Sequence, residues 1–157
     1  MLTWIKRTWL CFTLLISTSC AAQTVLVRAV NSNSGKPMSG RQITIALLYE
    51  KGDTLPAQYD AQLTLTTDAE GQVEFTLPNP APGHLSAHIT LPQTWTCQCM
   101  VLAKTQEIVD QGITAVNGSN GGAKSTLPFP KASPKEILFL AHPASFWERL
   151  LYPLEKD

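Results

Sequence analysis

The chain has 157 residues, with 12 basic against 12 acidic side chains and no formal net charge. Hydrophobic residues make up 44% of it and charged residues only 15%, which excludes intrinsic disorder for the bulk of the chain, and no basic excess marks a nucleic-acid partner. The length suits one domain with one core.

The first segment, MLTWIKRTWLCFTLLISTSCAAQ, reads as an export signal. Lys6 and Arg7 form a short positive region. Thr8 to Ile16 is an apolar run of signal-peptide length, short for a bilayer span. Small residues follow, so removal of residues 1–22 by cleavage after Ala22 is expected to start the mature chain at Gln23. Losing Lys6 and Arg7 leaves 10 basic against 12 acidic residues, a mature charge of −2. Two alternatives stand beside cleavage: an uncleaved anchor, and lipidation of Cys20. The STSC stretch resembles the lipobox of bacterial lipoproteins, although Ser17 stands where that family prefers leucine. The expected location is the periplasm or the cell exterior, with membrane attachment only through one of these alternatives.

Period-two alternation recurs from residue 24 onward, the pattern of half-buried strands on one-sided sheets. TVLVRAV places Val25, Val27 and Ala29 on one side and Arg28 on the other. RQITIALLY groups Ile43, Ile45, Leu47 and Tyr49, with Gln42 and Thr44 opposite. QLTLTT aligns Leu63 with Leu65. QVEFTL aligns Val73, Phe75 and Leu77. HLSAHITL sets Leu85, Ala87, Ile89 and Leu91 against His84, Ser86, His88 and Thr90. Between these runs, NSNSGKPMSG, DAEG and PNPAPG are chain reversals, because glycine permits positive φ and proline ends strand pairing. Short strands with this punctuation imply a sandwich or barrel. Asp68 and Glu70 in DAEG could ligate calcium, but two carboxylates fall well short of the six or more oxygens such a site needs. A tight hairpin turn with Asp68 bonded to its own backbone is the expectation there.

Next comes TWTCQCM. Residues i and i+2 on a flat strand lie about 6.6 Å apart. Disulfides want Cα atoms within ~4.4–6.8 Å, so Cys97 and Cys99 need an irregular backbone to pair. A local bridge or two buried structural cysteines is expected first, a bridge between chains second and a metal site last. Imidazole with thiolate suits copper or zinc, which makes Cys97, Cys99, His84 and His88 metal candidates, with His142 more distant. Four residues on a strand rise about 13 Å, however, so one ion cannot be shared by His84 and His88.

LAKTQEIVDQGI holds a short expected helix, with Thr105 as N-cap, Glu107 in the first turn and Gly112 as its stop. Residues 114–135 form a long Gly-, Asn-, Ser- and Pro-rich loop, read as mobile or partner-binding. It contains Asn117-Gly118-Ser119, a glycosylation acceptor only in a eukaryotic secretory route. EILFLA is apolar on both sides and is expected to be a covered strand. In the tail, PASFWERLLYPLEKD, helical spacing puts Phe146, Trp147, Leu150, Leu151 and Leu154 on one face, opposite Glu148, Arg149 and Lys156. That face either folds back over the sandwich or docks to a protein partner or membrane surface.

SGKPMSGRQITIAL, then TTDAEGQVEFTLP, then APGHL together resemble the carboxypeptidase regulatory-like domains. The matching positions are Gly35, Lys36, Pro37 and Gly40, then Thr67, Asp68, Gly71, Val73 and Phe75, then Pro82 and Gly83, over roughly residues 24–91. The resemblance implies a transthyretin-like (prealbumin-like) sandwich and a non-catalytic accessory or interaction role. That fold also houses the hydroxyisourate hydrolases, which carry a His–Arg–His set and a Tyr-Arg-Gly-Ser ending. The corresponding stretch here is YPLEKD, so that activity is not implied.

The expected architecture is therefore all-β: an immunoglobulin-like or transthyretin-like antiparallel sandwich over residues 23–144, with an amphipathic tail at 145–157 as a short C-terminal helix. No nucleophile elbow, zinc-protease motif or phosphate loop is present in the sequence. A Cys–His nucleophile pair is the only catalytic arrangement left open, and nothing positive supports it. The expected function is a non-catalytic exported module with a binding or structural role in the cell envelope, without a cofactor and with a possible protein partner at the tail. The alternative is a small extracytoplasmic metal-binding or thiol-redox protein using Cys97 and Cys99.

Overall fold

The structure is a computed structural model describing residues 23–49, 61–92, 94–97, 99–115 and 130–144, with Thr96 and Cys97 described by their backbone alone. The expected export signal with Cys20, loop residues 116–129 and the tail with Phe146, Trp147, Leu150, Leu151 and Leu154 lie outside the described residues. The elements in chain order are β1 (Thr24–Asn31), β2 (Gln42–Leu48), β3 (Ala61–Thr66), β4 (Gln72–Thr76), β5 (His84–Ile89), β6 (Trp95–Cys97), β7 (Met100–Lys104), α1 (Thr105–Gln111), β8 (Ile113–Ala115) and β9 (Glu136–Pro143).

The strands make two sheets, and the all-β sandwich with a short helix is what the alternation predicts. One sheet runs β3-β2-β5-β7, antiparallel throughout. The other runs β4-β1-β9. Beyond β9, β8 pairs with its first half and β6 with its end. This second sheet is mixed, since β9 lies parallel to both β1 and β8. The antiparallel sandwich expected from the sequence is present, and because alternation has the same period in parallel and antiparallel strands, it does not reveal these two parallel pairings.

The inward-facing residues are those the period selects. Val25, Val27, Ala29, Ile43, Ile45, Leu85, Ala87, Ile89, Ile137, Phe139 and Ala141 are all fully buried in one core. Strand β9 is buried on both faces. Leu138 and Leu140 point outward from the second sheet and form a small separate cluster with Val30, against which Ala132 packs. The segment just before β9 thus covers the outside of that strand, which explains why EILFLA is apolar on both sides after Glu136.

Turn chemistry fixes the crossings between sheets. Between β3 and β4, Asp68 Oδ1 accepts the N–H groups of Glu70 (3.0 Å) and Gln72 (2.8 Å), the expected bonding of Asp68 to its own backbone, but the turn joins strands of different sheets and is not a hairpin. Gly71 adopts φ 71°, and a Cβ there would lie 2.7 Å from both Ala29 O and Met38 N, so any side chain is excluded by conformation and by contact. Buried Thr67 ties this turn to the β1–β2 loop: its hydroxyl donates to Met38 O (2.8 Å) and accepts from Arg41 N (2.9 Å).

Helix α1 buries Ile108 fully and has one turn of support from Gln106 Nε2 donating to Asp110 Oδ1 (2.8 Å). Its N-cap is Lys104, with no side-chain cap. Thr105, expected to cap, is the first helical residue, and its N–H donates instead to Gly83 O (2.9 Å), continuing the β5–β7 ladder into the helix. The ladder therefore decides where the helix begins. Gly112 ends it as expected at φ 72°, and a Cβ there would collide with the carbonyl oxygen of Ser133. The loop expected at 114–135 begins later than read, because Thr114 and Ala115 belong to β8.

Candidate functional site

At Cys97–Cys99 the chain changes sheets. Cys97 ends β6 opposite Ala141, in the five-stranded sheet. Two residues on, Cys99 O accepts the N–H of Ile89 (2.9 Å), in the four-stranded sheet. The irregular backbone that a local pairing needs is thus present. Cys99 is disulfide-bonded, and it packs partly buried against the core. The side chain of Cys97 lies outside the described residues, as do Cys11 and Cys20.

The histidines stand elsewhere. In the β5–β7 ladder, Cys99 lies opposite Ile89 on the core side, whereas His84 and His88 project from the outer face, opposite Lys104 and Met100. A sheet therefore separates Cys99 from both imidazoles. His142 belongs to the other sheet, opposite Thr96. Among the described residues, no three His, Cys, Asp or Glu side chains come together in a group fit for a metal ion.

What the four-stranded sheet does assemble is an outer face with a shallow depression of about 230 Å³, lined by Thr44, Ala46, Gln62, Ser86, His88 and Met100. The ladder explains its shape. Ile89 N–H to Cys99 O and Thr105 N–H to Gly83 O mark the hydrogen-bonded pairs of β5 and β7. The intervening pairs, Ser86 with Leu102 and His88 with Met100, are then non-hydrogen-bonded, the class in which side chains approach most closely. Small Ala46 and Ser86, both buried, form the floor. Met100 and Leu102 rise beside them on β7 and are 54% and 51% exposed, two large apolar groups next to the polar Thr44, Gln62 and His88. The sequence reading did not single out this pair. The alternation of MVLAK against HLSAHI carried the signal, since it sets Met100, Leu102 and Lys104 beside the polar face of β5.

A second cleft of about 400 Å³ lies on the outside of the other sheet, among Arg28, Gln72, Glu74, Lys135 and Glu136. At its centre, Arg28 Nε donates to Glu136 Oε1 at 2.6 Å, while Glu136 Oε2 accepts the N–H of Ser133 at 2.7 Å. The carboxylate is buried and the guanidinium partly exposed. Glu136 anchors the turn through Lys135, whose φ is 64°. This is a structural ion pair holding the covering segment in place. It too went unread in the sequence, being a contact across 108 positions.

The Arg41 guanidinium lies 5.9 Å from the centre of the Trp95 ring and links β6 to the start of β2. No protein-family model matches this sequence, and no curated protein matches it either.

Proposed function

We propose that this protein is a non-catalytic exported β-sandwich module that acts by binding a protein partner in the cell envelope. The observation that carries the reading is the outer face of β5 and β7. Met100 and Leu102, the two most exposed large hydrophobic residues among those described, stand side by side in solvent next to a polar depression. Such a mixed apolar and hydrogen-bonding surface fits a protein contact better than bulk water. The disulfide at Cys99 supports an oxidising compartment, and Cys97 is its natural partner once the export signal is removed. The turn sequences that resemble carboxypeptidase regulatory-like domains support an accessory role.

The thiol-redox alternative rests on that same disulfide, at a corner where the chain passes between sheets. The metal form of that reading has less support, because the sheet stands between Cys99 and the imidazoles of His84 and His88.

A photo-crosslinking amino acid placed at Leu102 in cells of the source organism tests the proposal. Expected is a discrete adduct in the envelope fraction that disappears when the probe is moved to Glu74, on the opposite sheet. Recovery of the chain in the cytosol with its first 22 residues intact, or equal labelling from both positions, would overturn it. Intact mass with and without reductant, in the same preparation, identifies the Cys99 partner.

A further inference from the structure

Among the described residues, five strands end the hydrogen-bonded rows of the two sheets, and four of them are defended. Strands β6 and β8 have three residues each. Strand β4 carries Glu74 at its middle. Strand β7 carries Lys104 and runs directly into α1. Strand β3 has none of these devices. Its six residues, AQLTLT, include no charge and no proline, and pair with β2 without a bulge. Ala61, Gln62, Leu63, Thr64 and Thr66 are all exposed. Long, flat, uncharged edges of this kind are templates for another strand.

The ladder fixes which groups are on offer. Thr67 N–H donates to Arg41 O, so Arg41 and Thr67 form a hydrogen-bonded pair. Counting back by twos along the register, Ile43–Leu65 and Ile45–Leu63 are hydrogen-bonded pairs as well. The N–H and C=O groups of Gln62, Thr64 and Thr66 therefore point away from β2, and they have no partner among the described residues.

We propose that β3 pairs antiparallel with β3 of a second copy of this chain, about a two-fold axis through Thr64, to make one continuous sheet across a homodimer. The sequence is self-complementary in that register. Thr64 meets the partner copy's Thr64, and Gln62 meets its Thr66, so all six outward backbone groups of each strand are satisfied. Leu63 then falls opposite the second copy's Leu65 in the close, non-hydrogen-bonded class, on the core side. Leu63, 38% exposed in the monomer, gains an apolar neighbour there. No charge on either strand opposes the approach, and the isologous contact closes on itself rather than propagating. The inference is independent of the Met100–Leu102 surface, which lies on β7 at the far side of the same sheet.

Sedimentation equilibrium of the mature chain should show a concentration-dependent monomer–dimer equilibrium. Thr64→Lys and Thr64→Glu place like charges face to face across the axis. Each variant alone should be monomeric with an unchanged circular dichroism spectrum, and an equimolar mixture should recover the dimer at low salt. As a second readout, Gln62→Lys combined with Thr66→Glu in one chain should tighten the dimer and make it salt-sensitive. A wild-type chain that stays monomeric at its highest soluble concentration overturns the proposal. So does a Thr64→Lys dimer as strong as wild type, or a charge-swapped mixture that fails to associate.

Discussion

The two sheets bury their inner faces alike but treat their outer faces in opposite ways. Outside the five-stranded sheet, Leu138, Leu140 and Val30 are covered, Ala132 packs on them, and the Arg28–Glu136 pair holds the covering segment. Outside the four-stranded sheet, Met100 and Leu102 stand in solvent. Outward Leu138 and Leu140 thus belong to a second small core on one side, while outward Met100 and Leu102 form an available surface on the other. The lesson is that outward-facing leucine has no fixed meaning in a sandwich. Its role depends on whether another segment of the chain reaches it.

The sharpest break of this contrast is Leu138→Ala. The side chain is fully buried, and its loss leaves a hole between sheet and cover. A destabilisation of about 2–5 kcal/mol is expected in denaturant unfolding. A cost below about 0.5 kcal/mol, the range of ordinary surface substitutions, would show that the cover is not formed and that both outer faces are equivalent.

The clamp that holds the cover is next in size. Glu136→Gln keeps the shape of the side chain and removes the charge from a buried position facing Arg28. Removing one partner of a fully buried pair costs about 3–5 kcal/mol. Because the guanidinium is 30% exposed, water can replace part of what is lost, and a smaller cost of about 1–3 kcal/mol is expected. Glu74→Gln, on the same outer face, is the control and should change stability by no more than about 0.5 kcal/mol. Equal effects at the two positions would remove the special role assigned to Glu136.

Much of this arrangement was legible from residue order. The inward sets of β1, β2 and β5 follow from alternation, the Asp68 turn from its composition, and the covered state of β9 from the unbroken apolar run that follows Glu136 in EILFLA. Pairing partners were not legible. Nothing local in TVLVRAV announces a parallel neighbour more than a hundred residues away, and Thr105 lost its capping role to a ladder bond with Gly83. Leu63 and Leu65 were correctly aligned on one face, yet alternation does not reveal that their strand is an edge. At the candidate site, the outward histidines were visible as a polar row. Met100 and Leu102 gained meaning only once β7 was in register beside that row.

The smallest effect on stability is expected at Leu102→Ser, and it isolates the open face from the covered one. The side chain is about half exposed, pairs with Ser86 across the ladder, and belongs to neither core cluster. Truncation there leaves no cavity, and a hydroxyl added at this position reaches water, so unfolding free energy should move by less than about 0.5 kcal/mol. If Met100 and Leu102 serve a partner, crosslinking from a probe at Met100 should fall in the Leu102→Ser background while the melting transition stays in place. A loss of stability comparable to that of Leu138→Ala would instead mean that β7 is covered in solution. The two outer faces would then differ in the identity of their cover rather than in having one.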